Sequence, residues 1–345
     1  MTDAHFAPTL IRWQASHGRH DLPWQKNRDP YRVWLSEIML QQTQVDTVQP
    51  YYLRFLQRFP DVATLAAAPL DDVLAHWSGL GYYARARNLH RAAQRVVSEF
   101  GGQFPRRAEV LQSLPGIGRS TAAAIAAVCF GERVAILDGN VKRVLTRHFG
   151  IHGFPGERAI EQQLWALAES LVPEHGAELY PQALMDLGAT LCTRSKPACL
   201  HCPVQASCVA CKEGLQGALP TPRPKKAVPQ RSARVLVLRH ARAVLLEQRP
   251  PSGIWGGLYS LPELAAGETL ASGLLRLLGQ TDAADSIELP EVLHVFTHFK
   301  LSLQPELVEL SPPPQLHAPG LRWIALDALD AVGLPAPIRK ILEAL

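Results

Sequence analysis

The spacing of apolar residues divides the chain into two parts. Up to about residue 211, apolar positions recur every three or four residues, which is typical of amphipathic helices. Tyr31, Trp34 and Ile38 form one such face, and Asp29-Pro30 before them is a helix start with aspartate as the cap. After about residue 233 the apolar period changes to two, which predicts β-strands. The pattern therefore predicts a mostly helical N-terminal region followed by a separate α+β domain.

The same patterns place the individual elements. Helices are predicted around Leu10 and Trp13, from Pro30, near 50–58, 62–67 and 70–77, from Ala84, at 106–113, from Arg119, and twice within 157–190. Strands are predicted at 234–239, 243–248, 292–297, 299–309 and 321–324, with a helix near 269–278. Residues 212–232 are rich in Pro, Lys and Arg, and they read as an extended, semi-rigid linker.

Composition and charge narrow the class of protein. A chain of 345 residues suits two or three domains, and a formal charge of +4 permits a polyanionic partner without requiring one. The N-terminus has no cationic start followed by an apolar run, which argues against a signal peptide. A stretch of about eighteen apolar residues is also missing. We therefore expect a cytoplasmic protein, associated with the nucleoid if it is bacterial.

A Pro/Gly turn lies between two predicted helices. Pro115 ends the first helix, and Gly116 and Gly118 permit positive φ angles. The next helix begins near Arg119, so its first N–H groups and the turn amides are available to an anion. The turn is thus a candidate phosphate site. About twenty residues later Asp138 precedes a basic helix, where it could be a helix cap or a functional carboxylate.

Five of the six cysteines crowd between residues 192 and 211, whereas Cys129 lies in an apolar helical run. In an intracellular chain this crowding favours a metal centre over disulfides. Cys192, Cys199, Cys202 and Cys208 have the spacing C-x6-C-x2-C-x5-C, which suits an iron–sulfur cluster or zinc. The spacing alone also permits a zinc site made by two C-x2-C pairs, Cys199/Cys202 and Cys208/Cys211.

Two further stretches have two interpretations each. Glu37, Gln41 and Gln44 follow one stripe of a predicted helix, which could line a cavity or form a solvated edge. Residues 77–83, WSGLGYY, interrupt the helical pattern and precede an arginine-rich helix. Aromatic residues beside arginines could insert into DNA, or they could pack on the surface of the domain.

Four segments together resemble the adenine DNA glycosylases of the MutY type, within the helix-hairpin-helix (endonuclease III) superfamily. The segments are VWLSEIMLQQTQV (33–45), GLGYYARARNLH (79–90), LPGIGRSTA (114–122) and ILDGNVKR (136–143). The resemblance implies base excision repair of double-stranded DNA. Adenine mispaired with 8-oxoguanine or guanine would be removed by a monomer.

The resemblance also implies a domain organisation. A helical glycosylase region would span 1–211, with a six-helix lobe at about 30–133 and a cluster lobe formed by 1–29 and 134–211. The linker at 212–232 would then lead into a Nudix-like 8-oxoguanine recognition domain at 233–345.

Roles for the site residues follow from the same resemblance. Glu37 would protonate the adenine, Asp138 would stabilise the oxocarbenium-like sugar, and Asn140 would orient the carboxylate or the water. A buried helix face should raise the pKa of Glu37, whereas a helix N-terminus beside basic residues should keep Asp138 ionised. We expect both carboxyls to face one hollow that holds the extruded purine.

The resemblance further assigns a 4Fe–4S cluster to Cys192, Cys199, Cys202 and Cys208, and it gives Cys211 no role. Gln42 and Tyr82 would enter the duplex. The other implied DNA contacts are Gly116, Gly118, Arg119, Ser120, Lys142, Arg194 and Lys196.

Ser120 separates this chain from bifunctional relatives, which carry a lysine there that forms a Schiff base and then cleaves the strand. A hydroxyl cannot form an imine, so we predict a monofunctional glycosylase. A bifunctional endonuclease III-like glycosylase/lyase is the alternative. A second alternative is a DNA-binding protein that carries a structural cluster but has no activity.

The C-terminal domain is similar to Nudix hydrolases, but its catalytic box is incomplete. Gly257 and Glu263 fit the first two positions of that box, and Glu268 is the only acid in residues 264–278. Nucleotide pyrophosphatase activity is therefore disfavoured. In the resembling family this domain reads 8-oxoguanine through a Phe-Ser-His loop, and the corresponding residues here are Phe296, Thr297 and His298.

Overall fold

A computed structural model describes residues 3–224, 227–279, 285–311, 316 and 318–345. Lys225 and Lys226, which belong to the predicted linker, lie outside the described residues. The chain forms two compact units. One comprises Met1–Ala66 and Arg91–Lys225, and the other comprises Ala67–His90 and Lys226–Leu345. The domain boundaries expected from the sequence remain a prediction, and the grouping of 67–90 with the C-terminal part was not among them.

In the described residues before 225, all regular secondary structure is helical, as the apolar spacing predicted. Its helices are α1 (Phe6–His17), α2 (Pro30–Leu40), α3 (Val45–Arg58), α4 (Val62–Ala67), α5 (Leu70–Trp77), α6 (Ala84–Phe100), α7 (Ala108–Leu111), α8 (Arg119–Phe130), α9 (Gly139–Phe149), α10 (Arg158–Ser170), α11 (Tyr180–Asp186) and α12 (Val209–Glu213). None of the helices among the described residues is long and apolar enough to span a membrane. The short α12 was not predicted.

Aspartate caps set the starts of two helices that matter for the site. Asp29 accepts a hydrogen bond from the backbone of Arg32 (2.9 Å), and Asp138 accepts one from Val141 (2.7 Å). Each bond satisfies one of the free N–H groups in the first helical turn. The Asp29 cap begins α2, whose Tyr31, Trp34 and Ile38 are buried as predicted. The Asp138 cap begins α9.

The Pro/Gly turn joins α7 to α8. Gly116 has φ 76°, a left-handed conformation that favours glycine. Gly118 has φ −82° and ψ 170°, so it does not use the positive φ that glycine permits. Its place as the N-cap of α8 requires extended backbone, which any residue adopts. Both glycines are exposed at the surface of the helical unit.

The second unit contains a mixed β-sheet. Its strands in the described residues are β1 (Gln230–His240), β2 (Ala243–Gln248), β3 (Tyr259–Ser260), β4 (Ser286–Glu288), β5 (Val292–Val295), β6 (Lys300–Glu309) and β7 (Leu321–Ala325). The order β3-β2-β1-β6-β4 has β1 and β6 parallel, while β5 pairs with β6 and β7 with β2 in antiparallel fashion. Helices α13 (Leu270–Leu278) and α14 (Ala336–Leu342) complete this unit.

The segment 67–90 belongs to this second unit through specific hydrogen bonds. The Ser78 and Tyr83 hydroxyls donate to the carbonyl of Leu334, at 3.1 and 2.9 Å. Arg87 Nη1 donates to the carbonyl of Gly256 at 2.6 Å. The bend between α5 and α6 is therefore held by main-chain carbonyls of the C-terminal part.

Candidate active site

Glu37 lies on α2 and lines a cavity of about 340 Å³. The residue as a whole is half-buried. Burial, followed by the negative charge of Asp138, raises the pKa of Glu37 to about 7. A carboxyl with this pKa is substantially protonated near neutral pH, so it can serve as a proton donor.

Asp138 caps α9, and its surroundings have opposing effects on the pKa of its carboxyl. Burial is the largest influence and raises the pKa of Asp138 above its usual value, although the backbone N–H groups of Val141 and Asn140 and the positive charges of Arg143 and Lys142 oppose this rise. The expectation of a simple ionised carboxylate therefore omitted the desolvation. The carboxylate can still be held as an anion, because N–H donors and cations are in place around it.

The two carboxyls interact electrostatically, but they do not both line the cavity. Glu37 is among the lining residues and Asp138 is not, in the part of the chain that the structure describes. The reason is local, since the Asp138 carboxylate turns back onto the N–H groups of its own helix. We expected one hollow lined by both carboxyls, and the cavity is lined by Glu37 alone of the two.

Asn140 lies in the first turn of α9 and is fixed by neighbours. Its Oδ1 accepts from Arg143 Nη2 at 2.8 Å, so its amide nitrogen remains as the donor. Arg143 also donates to the carbonyls of Gly188 (2.7 Å) and Cys192 (2.7 Å). A Cβ at Gly188 would lie 2.6 Å from Asn140 Cβ, so only glycine allows this close approach. Arg143 thereby links Asn140 to the start of the cysteine loop.

The cavity beside Glu37 brings in residues that the sequence did not single out. Trp24 and Arg19 come from the segment after α1, and Gln182 and Met185 come from α11. An indole, a guanidinium and a carboxamide beside a protonated carboxyl suit a flat, polar-edged heterocycle. The Trp24 side chain could have been noticed as an isolated aromatic in a polar bend, but α11 carries no comparable signal because its packing partners are distant in sequence.

The residues expected at the hairpin have partners inside the protein. Ser120 Oγ accepts a hydrogen bond from the backbone N–H of Leu137 (3.0 Å), the residue before Asp138. Arg119 pairs with Glu169 and lies over the ring of Trp165, 3.8 Å from its centroid. Lys142 Nζ lies 2.6 Å from Glu161. Ser120 therefore holds the backbone of Leu137, just before Asp138, and the two cations would have to leave their partners to bind a phosphate.

The four predicted cysteine ligands line one small cavity, together with Cys211. Arg147 organises this loop from the buried face of α9, and it is 3% exposed. It donates to the carbonyls of Thr193 (2.6 Å) and Arg194 (3.0 Å), and its Nη1 lies 3.5 Å from Cys192 Sγ. Sulfur atoms that share a cavity with a buried guanidinium suit an anionic cluster. The donor set therefore fits an iron–sulfur centre, although no group of three described side chains is arranged to hold a single metal ion.

Other expected DNA contacts lie on the surface. Arg194 and Lys196 are exposed on the cysteine loop. Gln42 is exposed in the turn after α2 with φ 58°, and Tyr82 is 47% exposed with φ 49°. A positive φ is uncommon for residues other than glycine, and such strain clusters at functional positions. Gln42 belongs to the helical unit and Tyr82 to the sheet unit.

The C-terminal domain presents its candidate recognition loop between β5 and β6. Thr297 and His298 are exposed, and Phe296 stacks on Phe299 with ring centroids 4.4 Å apart. Glu263, which fits the Nudix box, and Glu268, the only acid in residues 264–278, are both paired with arginines. Glu263 lies 3.0 Å from Arg249 and Glu268 lies 2.9 Å from Arg276. These residues form ion pairs within the domain instead of the acidic cluster that magnesium hydrolysis requires.

Comparison with known proteins agrees with this architecture. Residues 35–170 match the family described as HhH-GPD superfamily base excision DNA repair protein, and residues 234–344 match the NUDIX domain. The structure of a thermostable thymine-DNA glycosylase superposes with a TM-score of 0.55, at 30% identity over 60% of this chain and 95% of that one. An endonuclease III–DNA complex gives 0.52 at 20% identity, over 61% of this chain and 96% of that chain, which shows the fold alone. The helical region is thus that of a helix-hairpin-helix DNA repair enzyme.

Relatives that match the whole chain define the family more closely. Adenine DNA glycosylase of Buchnera aphidicola subsp. Acyrthosiphon pisum (strain APS) is 37% identical over 99% of this chain and 98% of its own length. The Homo sapiens adenine DNA glycosylase is 35% identical over 98% of this chain and 73% of its own. This chain belongs to the adenine DNA glycosylase family. It is a base excision repair enzyme that hydrolyses N-glycosyl bonds in DNA, as the sequence motifs predicted.

Proposed function

We propose that this enzyme is a monofunctional glycosylase that removes adenine opposite 8-oxoguanine or guanine in duplex DNA. The raised pKa of Glu37, in a cavity lined by Trp24 and Gln182, is the observation that carries the proposal. Adenine is a poor leaving group as an anion, so protonation by Glu37 would lower the barrier. The base would first have to leave the helical stack, which costs least at a mispair.

The sugar that loses its base develops positive charge, as in other glycoside hydrolyses. Asp138 is proposed to stabilise that charge as a carboxylate held by N–H donors and by the basic residues of α9. The Asn140 amide nitrogen, left free by the bond between its oxygen and Arg143, would orient the carboxylate or the attacking water. Two carboxyl groups in opposite protonation states therefore divide acid and anion roles between them.

Strand cleavage by a Schiff base is not part of this proposal. Ser120 has no amine and its hydroxyl already accepts the Leu137 N–H. Lys142 does carry an amine and lies four residues after Asp138, but that amine is paired with Glu161. A neutral, unpaired amine is what imine formation needs.

Cys192, Cys199, Cys202 and Cys208 are proposed to hold a 4Fe–4S cluster. Such a centre would tie the loop together, while Arg143 and Arg147 connect that loop to α9. The exposed Arg194 and Lys196 would then present positive charge to DNA phosphates. The loop of Phe296, Thr297 and His298 is proposed to recognise 8-oxoguanine.

A glycosylase assay tests the proposal directly. Duplexes containing A·8-oxoguanine, A·G and A·T pairs are incubated with the purified protein, and base loss is read as strand breakage with and without alkali. We expect breakage for the two mispairs only after alkali, and none for A·T. Breakage without alkali would establish the bifunctional alternative, and binding of the mispairs without base loss would establish a non-catalytic protein.

A further inference from the structure

Asp186 is a buried carboxylate that the proposed chemistry does not use. It is the last residue of α11 and its side chain is 0% exposed. Its Oδ1 accepts from Arg19 Nε (2.8 Å) and Gln182 Nε2 (2.8 Å). Its Oδ2 accepts from the Arg19 backbone N–H (3.0 Å) and lies 3.4 Å from Gln14 Nε2. A buried charge is tolerated when several donors satisfy it in this way.

The partners of Asp186 share one location. Arg19, Gln182 and Gln14 all line the cavity that Glu37 also lines. Gln182 lies one helical turn before Asp186, so the two side chains occupy the same face of α11. Asp186 itself is not among the described residues that line the cavity. It therefore lies behind the cavity wall and contacts side chains that form it.

The chemistry of a carboxylate determines which way the Gln182 amide faces. An ionised carboxylate offers acceptors and no donor, so it can be met only by the amide NH₂ group. Gln182 Nε2 donates to Asp186 Oδ1, which fixes the orientation of the amide and leaves Oε1 as the acceptor that Gln182 can offer to a ligand. In the same way Arg19 Nε is committed, and the Nη groups are the donors left for the cavity.

We propose that Asp186 is a positioning residue that fixes the hydrogen-bonding polarity of the base cavity, and so selects a base with an exocyclic amino group. The proposal rests on the proposed function, because it assumes that the cavity receives the extruded base. Adenine carries a 6-amino donor beside a ring acceptor, whereas guanine carries an acceptor oxygen at that position. A fixed carboxamide oxygen accepts from the amino group and opposes the oxygen.

Substitution of Asp186 by Asn tests the proposal through base preference. The Asn side chain keeps one acceptor oxygen for donors that two oxygens now satisfy, so the Gln182 amide is no longer forced into one orientation. Single-turnover base release is measured for adenine and for hypoxanthine, which has oxygen in place of the 6-amino group, each opposite guanine. We expect the adenine-to-hypoxanthine ratio to fall by about tenfold or more in Asp186→Asn. Comparing ratios between variants cancels the different intrinsic stabilities of the two glycosidic bonds.

A double variant provides the rescue. In Asp186→Asn/Gln182→Glu the introduced amide at position 186 can donate to the introduced carboxylate at position 182. This restores the tie with its polarity reversed and still offers an oxygen to the cavity. We expect the adenine preference to return toward the unmodified ratio. If Asp186→Asn alone does not fold, the double variant still decides the question, because loss of the preference there contradicts the proposal.

Thr190→Ala is the matched control. The Thr190 hydroxyl donates to the backbone carbonyl of Asp186 (2.8 Å), so its loss weakens the same segment and leaves the carboxylate intact. We expect lower thermal stability with an unchanged base ratio. An unchanged ratio in Asp186→Asn, or an equal fall in Thr190→Ala, would overturn the proposal. If the unmodified enzyme released no adenine at all, the proposed function would fail instead.

Discussion

At the scale of single residues, the central feature is a pair of acids whose surroundings differ. Glu37 is desolvated beside a cavity, whereas Asp138 accepts hydrogen bonds from backbone N–H groups of its own helix. Most buried carboxyls in proteins are paired with cations, which lowers their pKa. An acid kept neutral near pH 7 is therefore costly to the fold, and that cost is expected where catalysis needs a proton.

Burying the Glu37 carboxylate destabilises the folded protein at high pH. We therefore predict that Glu37→Gln raises the stability of the protein in a pH-dependent way. The pKa rises from 4.5 in the unfolded chain to about 7 in the folded one, so the folded state binds more protons between these values and stability falls as pH rises through that window. The full effect corresponds to about 3 kcal/mol at most. We expect Glu37→Gln to melt several degrees above the unmodified protein at pH 8, with a much smaller gap at pH 5. An equal gap at both pH values would contradict the raised pKa.

Asp138 and Asp29 allow a matched test, because each carboxylate caps a helix by accepting a hydrogen bond from the backbone N–H three residues further on. Asn is also a good cap, so Asp→Asn at either site should cost little stability. We expect Asp138→Asn to slow adenine release at least about a hundredfold, since the anion that faces the developing cation is lost. Asp29→Asn should leave the rate unchanged. Comparable rates in the two variants would remove Asp138 from the mechanism.

At the scale of elements, α9 connects the Asp138 cap to the cysteine loop. Asp138 begins the helix, Asn140 and Arg143 lie in its first turns, and Arg147 is buried one turn further on. Arg143 and Arg147 donate to loop carbonyls at Cys192 and Thr193. A single helix thus orients the site and anchors the loop, so disorder in the loop would be transmitted to Asn140.

Iron binding should depend on the four predicted ligands and should not depend on Cys211. We expect Cys202→Ser to lose most of its iron and visible absorbance, because Cys202 is one of the four proposed cluster ligands. Cys211→Ser is the matched control in the same cavity and should keep its iron. Iron and zinc are quantified in both purified variants. Zinc in the unmodified protein, lost from both variants, would support the paired C-x2-C arrangement instead.

The sequence predicted most helices and strands, but it predicted few of the side-chain contacts between residues far apart in the chain. Periodicity located α2 and α9 and the caps at Asp29 and Asp138, since local hydrogen bonds and apolar spacing are written in consecutive residues. It did not find the role of Asp186, whose donors come from Gln14, Arg19 and Gln182. Gln14 is 172 positions away from Asp186 and Arg19 is 167 positions away, and no short-range pattern specifies such pairs.

At the scale of the whole molecule, the two units carry different kinds of chemistry. The helical unit has the titrating acid and the cysteine loop, whereas the sheet unit has a degenerate hydrolase site whose Glu263 and Glu268 are neutralised by arginines. The bond from Tyr83 to Leu334 shows that residues 67–90 fold with the sheet unit, 251 positions apart in sequence. Composition could not indicate this grouping, because the segment is helical like its neighbours.

This division predicts that damage recognition and base removal can be separated by mutation. Thr297 and His298 are exposed on a turn held by the Phe296 N–H to Phe299 carbonyl bond (2.9 Å), and this backbone bond does not involve their side chains. We expect Thr297→Ala/His298→Ala to lower the rate on A·8-oxoguanine toward the rate on A·G, while the A·G rate itself stays unchanged. Glu37→Gln, in contrast, should abolish both rates because it removes the proton donor common to them. Both rates are measured under single-turnover conditions with the same enzyme preparation. An unchanged rate on A·G then shows that the variant is folded. A parallel loss of both rates in the Thr297/His298 variant would show that this loop supports the fold of the domain and does not read the lesion.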